Sequence, residues 1–191
     1  IIIMAENLMS LCIKLFFNKI ILTFTNIRFI IYLELMFMEY IIFVDGSFLK
    51  KTNFASCSIL IFNNNKLVDK ILVTNIDKMK NSIEVELLAL KIALKRMDRI
   101  IQKLEVKKIL IFSDCKSIVD VLNTQKKNRT FIKLNSNLYH YVHSTNSLLL
   151  NKEGLNFRIE YLPRKFNIAH KYCSELLKKY KKSVLLSKSL E

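Results

Sequence analysis

Two apolar runs in the 191-residue chain each finish on an aspartate: Tyr40–Val44 runs into Asp45, and Lys107–Ser113 runs into Asp114. Short apolar runs bounded by polar residues are the pattern of strands buried on both faces. Singly, each aspartate has an ordinary use, since Asp45-Gly46 is a turn dipeptide and Asp114 can cap the helix that follows it. As a pair they suggest more. Adjacent parallel strands bring their carboxyl ends to one edge, where open α/β sheets bind ligands. Two carboxylates facing each other there repel unless a cation joins them. Hard oxygen ligands favour Mg²⁺, with Mn²⁺ acceptable, over zinc. Glu84 and Glu86 open a long helical pattern and supply the third carboxylate. Residues two apart lie about 200° around a helix, so only one of them faces the sheet. Glu86 shares its face with Ala89 and Leu90, whereas Glu84 shares one with Lys91 and the solvent side, so Glu86 is the third candidate.

The elements that must position these residues begin after Met38, where strand and helix patterns alternate. Ala55–Phe62 and Lys66–Val73 flank Asn63-Asn64-Asn65 and read as a hairpin. From Ser82 to about Gln102, apolar Val85, Leu88, Ala89, Ile92, Met97 and Ile100 recur at helical spacing. Ser82 followed by Val85 makes no capping box, so that helix is read from periodicity alone. Cys115–Asn123 is a short helix, residues 124–133 a basic connection, and Leu134–Leu150 a further helix. Phe157–Leu162 is a strand closed by Pro163, and Ile168–Tyr180 an amphipathic helix. The order βββαβααβα is an α/β layer fold with a mixed sheet. With only two Gly and one Pro in the chain, its 17 Asn residues are expected to make the turns, because Asn tolerates left-handed backbone. Gly46 directly follows the first candidate ligand, where the backbone is expected to pass close to substrate.

The formal net charge is +15, from 31 Lys+Arg against 16 Asp+Glu. That favours a polyanionic partner, nucleic acid or an anionic surface. The competing source is composition, since 25 of the basic residues are Lys and the chain is also rich in Asn and Ile, as an A/T-rich coding sequence yields. Residues 1–37 hold 26 apolar residues but only three basic and two acidic ones, which leaves +14 to the remainder. Glu6, Lys14, Lys19, Arg28 and Glu34 interrupt that piece too often for a spanning helix, so no stable membrane insertion is expected. We read 1–37 as an extension outside the domain, with Met38 as a candidate start of the mature product, 38–182 as the domain and 183–191 as a tail. Cys12, Cys57, Cys115 and Cys173 show no metal or disulfide spacing, so a reducing, cytoplasmic compartment is expected. His140 and His143 are spaced for a metal on one helix face, but no carboxylate or cysteine accompanies them.

Four segments in order, IIFVDGSF (Ile41–Phe48), NSIEVELLALKIAL (Asn81–Leu94), ILIFSDCKSIVDVL (Ile109–Leu122) and YLPRKFNIAHKYCSELL (Tyr161–Leu177), resemble the type 1 ribonuclease H domain. They are most similar to its short, reverse-transcriptase-like variants, over about residues 39–180. The resemblance implies a ribonuclease H-like fold whose five-stranded mixed sheet is ordered 3-2-1-4-5 and flanked by helices. It implies cleavage of the RNA strand of RNA–DNA hybrids, with divalent metal held by Asp45, Glu86 and Asp114 and a metal-activated water attacking in line. The family's fourth acidic position is here His170. Three roles are open to it: a weaker, Mn²⁺-preferring ligand or proton shuttle; a bystander to three sufficient carboxylates; or the mark of a domain that binds without cleaving.

Binding of a hybrid needs phosphate contacts, expected from Lys126, Lys127, Arg129, Arg164 and Lys165 in the two loops nearest the metal edge, with Asn167 in the second loop; a merely solvated basic loop is the competing reading in a chain so rich in lysine. Asn81 and Ser82 match polar residues that contact the nucleic-acid backbone, and helix capping is their alternative use. Residues 123–133 are too few for the basic handle of some relatives.

Overall fold

The computed structural model describes residues 40–76, 78–104, 106–124 and 136–188. The expected extension, residues 1–37, lies outside them, as do Lys126, Lys127 and Arg129. The strands are β1 (Tyr40–Leu49), β2 (Phe54–Asn63), β3 (Lys66–Val73), β4 (Lys108–Ser113) and β5 (Asn156–Tyr161). The helices are α1 (Ser82–Ile101), α2 (Lys116–Asn123), α3 (Ser136–Leu150) and α4 (Ile168–Lys188), so α4 runs on past the expected end at Tyr180 into the segment read as a tail. The five strands form one sheet in the order β3-β2-β1-β4-β5. β1 and β2 pair antiparallel, as do β2 and β3, while β4 and β5 run parallel to β1 and β4 respectively.

Side-chain alternation sorts the central strands between two layers. Ile42, Val44, Cys57, Ile59, Ile109 and Ile111 join Val85, Ala89, Leu90 and Ala93 of α1 and Val142 of α3 in one buried cluster. Each fully buried Val, Leu or Ile side chain there contributes about 1.5–3 kcal/mol. The opposite face carries Asp45 and its register partner Ser58, and there α4 packs: Ser58 Oγ donates to the Ala169 carbonyl at 2.7 Å. Further out, the ring of Phe54 stacks on that of Tyr180 at 3.9 Å.

Asparagine makes the turns, as expected. Asn64 and Asn65, with φ of 44° and 63°, form the two-residue link between β2 and β3, and Asn53 and Asn75 also adopt positive φ. Two successive left-handed residues match the twist of the strands they join. The start of α1 has a cap that its periodicity did not reveal. Asn81 Oδ1 accepts from Glu84 N at 3.0 Å, and Glu84 Oε2 accepts in turn from Lys80 N at 2.8 Å. Glu84 is fully buried, not on a solvent face as its spacing suggested: Oε2 holds the Lys80 amide just ahead of the helix, while Oε1 is buried without a partner. Among the described residues no helix is long and apolar enough to cross a membrane.

Candidate metal and nucleic-acid site

The site lies where two parallel strands part. β1 does not stop at Asp45-Gly46 but continues to Leu49, held by antiparallel pairing with β2, whereas its parallel pairing with β4 ends at Val44 and Ser113. Asp45 and Asp114 are each the next residue after that last pair, so their carboxylates meet at one edge. Asp114 does not cap α2; Cys115 holds the cap position, and its amide donates to Ser113 Oγ at 3.2 Å. Glu86 arrives from the first turns of α1 and His170 from the first turn of α4.

Gly46 sets the distance between strand and helix. A Cβ on it would stand 2.7 Å from both Glu86 N and Val85 C, so it is the α1 backbone, not substrate, that requires glycine here. The same approach lets the Gly46 amide donate to the Glu86 carboxylate. Asn167 closes the other side. Its Nδ2 donates to the Val44 carbonyl at 2.7 Å, and its Oδ1 accepts from Ala169 N at 3.1 Å. That corrects its expected role as a nucleic-acid contact: Asn167 is 3% exposed, with both ends of its amide committed to holding α4 against β1.

The electrostatics are those of crowded, buried negative charge. Asp45 is fully buried, and burial followed by the Asp114 charge raises its carboxyl to about 6, with His170 pulling the other way. Burial, then Asp45 and Asp114, push Glu86 well above the usual carboxylate range against the Gly46 amide and Arg164. Burial, then the charges of Glu86 and Asp45, push the Cys57 thiol up to about 12. The side chain of Asp114 is 3% exposed, and its Oδ2 accepts from Arg164 Nε at 3.0 Å. His170 Nδ1 lies 3.3 Å from Asp45 Oδ2 and Nε2 lies 3.2 Å from Ser174 Oγ.

Each of the three carboxylates keeps one buried oxygen without a hydrogen-bond partner: Asp45 Oδ1, Glu86 Oε2 and Asp114 Oδ1. Unpaired buried acceptors on mutually repelling carboxylates fit a divalent cation. Asp45, Asp114 and His170 each offer a ligand atom, all within 4.8 Å of one another. Glu86 was expected in that set and falls outside it, close enough to feel both aspartates but tied to the Gly46 amide. His170, the residue that breaks the acidic pattern, takes its place.

Of the expected phosphate contacts, Arg164 stands at the site with its side chain 65% exposed apart from the ion pair. Lys165 Nζ lies 4.8 Å from the centre of the Phe166 ring. Asn81 has its side-chain oxygen engaged in the α1 cap, while Ser82 is exposed beside it. His140 and His143 pack at the ring of Tyr139, with centroids 5.8 and 5.6 Å away, and belong to no metal-ligating group among the described residues. Sequence reasoning missed Ser174, Cys173 and Ser58. Cys173 Sγ donates to the Asp45 carbonyl at 3.2 Å and reaches Ser58 Oγ at 3.4 Å, locking α4 beneath the site. The available signal was the spacing of Cys173 and Ser174, three and four residues after His170, which puts all three near one helix face.

A mixed sheet in the order β3-β2-β1-β4-β5, with acidic residues on the central strand, on the first helix and at the end of β4, defines the ribonuclease H-like fold. The chain belongs to the reverse transcriptase-like family, whose model matches residues 43–175. The structure is similar to the N-terminal RNase H domain of Rv2228c from Mycobacterium tuberculosis, solved as a fusion with maltose-binding protein (TM-score 0.58, 14% identity, 77% of this chain and 99% of that one). It is similar also to RNase H1 from the halophilic archaeon Halobacterium salinarum NRC-1 (TM-score 0.55, 16% identity, 73% and 98%). LC11-RNase H1, solved in complex with an RNA/DNA hybrid, matches with a TM-score of 0.53 and 17% identity over 72% of this chain and 92% of that one. No curated protein matches the sequence.

Proposed function

We propose that this chain is a divalent-metal-dependent endoribonuclease that hydrolyses the RNA strand of RNA–DNA hybrids. One observation carries the reading: three buried carboxylates from β1, α1 and the end of β4 converge, each with an unpaired oxygen. Bound Mg²⁺ or Mn²⁺ would activate a water and offset charge on the scissile phosphate. Asp45 and Asp114 would hold the ion, Glu86 would add charge from the helix side, and His170 would add a ring nitrogen. Arg164, exposed beyond Asp114, would orient the phosphate, with Lys165 next to it and Asn81 and Ser82 at the helix start as backbone contacts. Shape reading across the minor groove and its 2′-hydroxyls would select the hybrid. The formal charge of +15 supports a nucleic-acid partner. In this reading residues 38–182 act as the domain in a reducing compartment and 1–37 as an appended extension.

The test is a fluorescent RNA–DNA hybrid incubated with Mg²⁺, Mn²⁺ or EDTA. Expected are cleavage with metal, none with EDTA, and none by Asp45→Asn. Absence of EDTA-sensitive cleavage in both metals refutes the nuclease. It favours a second reading, a hybrid-binding module without catalysis, for which His170 in the ligand group is the specific observation.

A further inference from the structure

His170 meets the acidic group with one ring nitrogen and a serine with the other. Nδ1 is 3.3 Å from Asp45 Oδ2, and Nε2 is 3.2 Å from Ser174 Oγ, one turn further along α4. A neutral imidazole carries a proton on one nitrogen and a lone pair on the other, whereas a serine hydroxyl can donate or accept. The pair therefore has two settings. When Ser174 donates to Nε2, the proton sits on Nδ1 and is donated to Asp45. When Ser174 accepts from Nε2–H, Nδ1 turns a lone pair towards Asp45 and Asp114. A lone pair facing a carboxylate oxygen at that distance is repulsive until a cation stands between them, so a cation selects the second setting.

We propose that Ser174 is a positioning residue that makes His170 Nδ1 a metal ligand, and that Asp45, Asp114 and His170 form a mixed oxygen–nitrogen site selecting Mn²⁺ over Mg²⁺. The proposal rests on the metal-dependent reading above. Imidazole is a poor ligand for Mg²⁺, which demands hard oxygens and gives up water reluctantly, and a better one for transition ions. A ligating histidine is held in its tautomer by a partner for its other N–H, and loss of such a partner costs about 10–100-fold in metal affinity. Ser174 is that partner here; His170 is 32% exposed on its side chain, enough for an ion to arrive from solvent.

The test is Mn²⁺ binding to the full chain, followed by electron paramagnetic resonance with Mg²⁺ as competitor. Pulsed measurement on bound Mn²⁺ is expected to show coupling to an imidazole nitrogen in the wild type and none in His170→Asp. Ser174→Ala is expected to weaken Mn²⁺ binding about 10–100-fold with little change for Mg²⁺, and Ser174→Thr, which keeps the hydroxyl, to restore it. His170→Asp is expected to narrow the preference for Mn²⁺ over Mg²⁺ at least about tenfold by supplying a hard ligand. No nitrogen coupling in the wild type, or equal Mn²⁺ affinity in Ser174→Ala, overturns the proposal. If Mn²⁺ still binds in those cases and Asp45→Asn abolishes it, the metal-dependent reading stands while this inference falls. A wild type that binds neither ion sinks both.

Discussion

Gly46 and Glu86 touch backbone to side chain: the Gly46 amide donates to the Glu86 carboxylate, and the Glu86 amide nitrogen lies 2.7 Å from where a Gly46 Cβ would stand. Strand and helix approach so closely only because residue 46 has no side chain. Gly46→Ala must push α1 away, since the nearest atoms are main chain that cannot rotate aside. Overpacking of this kind costs about 1–3 kcal/mol. The variant should unfold at lower urea than the wild type and, with Glu86 displaced, cleave the hybrid more slowly. A wild-type unfolding midpoint would contradict the close approach.

Asp45 makes metal-free stability depend on pH. Its folded pKa of about 6 lies above the ordinary 3.8, so the fold favours the neutral acid. The resulting stabilisation is full below about 3.8 and is lost as pH rises through about 6. The displacement amounts to about 3 kcal/mol at most. Asp45→Asn carries no charge at any pH, so with EDTA present it should gain on the wild type by up to about that amount between pH 4 and pH 7. Thermal unfolding of both proteins across that range is the check, and a constant difference would refute it. Adding Mn²⁺ at pH 7 should stabilise the wild type and leave Asp45→Asn unchanged.

Arg164 plays two parts that can be separated. Paired with Asp114 at 3.0 Å, it offsets charge in the acidic group. Arg164→Ala should therefore bind divalent cations more tightly by calorimetry. If it also contacts a phosphate, the variant should bind hybrid more weakly, with the salt dependence of binding reduced by about one unit of slope. Weaker metal binding would count against the first role, and an unaltered salt slope against the second.

Asn167 predicts a stability defect and not a binding one. Asn167→Ala leaves the Val44 carbonyl and the Ala169 amide without partners, at about 1–3 kcal/mol for each buried group. Urea unfolding should show that loss. A variant as stable as wild type but weaker on hybrid would return Asn167 to the surface role expected of it.

Much of the fold was legible because the central strands β1, β2 and β4 are buried on both faces. Runs such as Ile41–Val44 and Ile109–Phe112 have no polar interruption, which marked them as buried strands, while their places in the sheet were implied by the resemblance of the four segments. Asp45 and Asp114 stood out for the same reason, as the first charges after those runs. The extension of β1 past Asp45-Gly46 was not legible, since pairing with β2 overrides the local turn preference of that dipeptide. Nor was the burial of Glu84, which depends on one backbone amide at Lys80. Periodicity also cannot tell that Asn167 points inward or that Ser174 meets His170, because such matters are decided by hydrogen bonds between distant segments and not by the spacing of apolar residues.

The lock between β1 and α4 has a further consequence for the order in which the molecule is made. Its contacts join residues 123, 125 and 128 positions apart: Asn167 to Val44, His170 to Asp45, and Cys173 to the Asp45 carbonyl. Contacts of such long sequence separation close late in folding. On the ribosome, where chains emerge amino end first, β1 to β3 can pair long before residue 170 is released. The acidic edge then waits, exposed and incomplete, until α4 seals it. If the proposed reading holds, the metal site would be the last part of the molecule to become competent, completed only when the carboxyl-terminal helix leaves the ribosome.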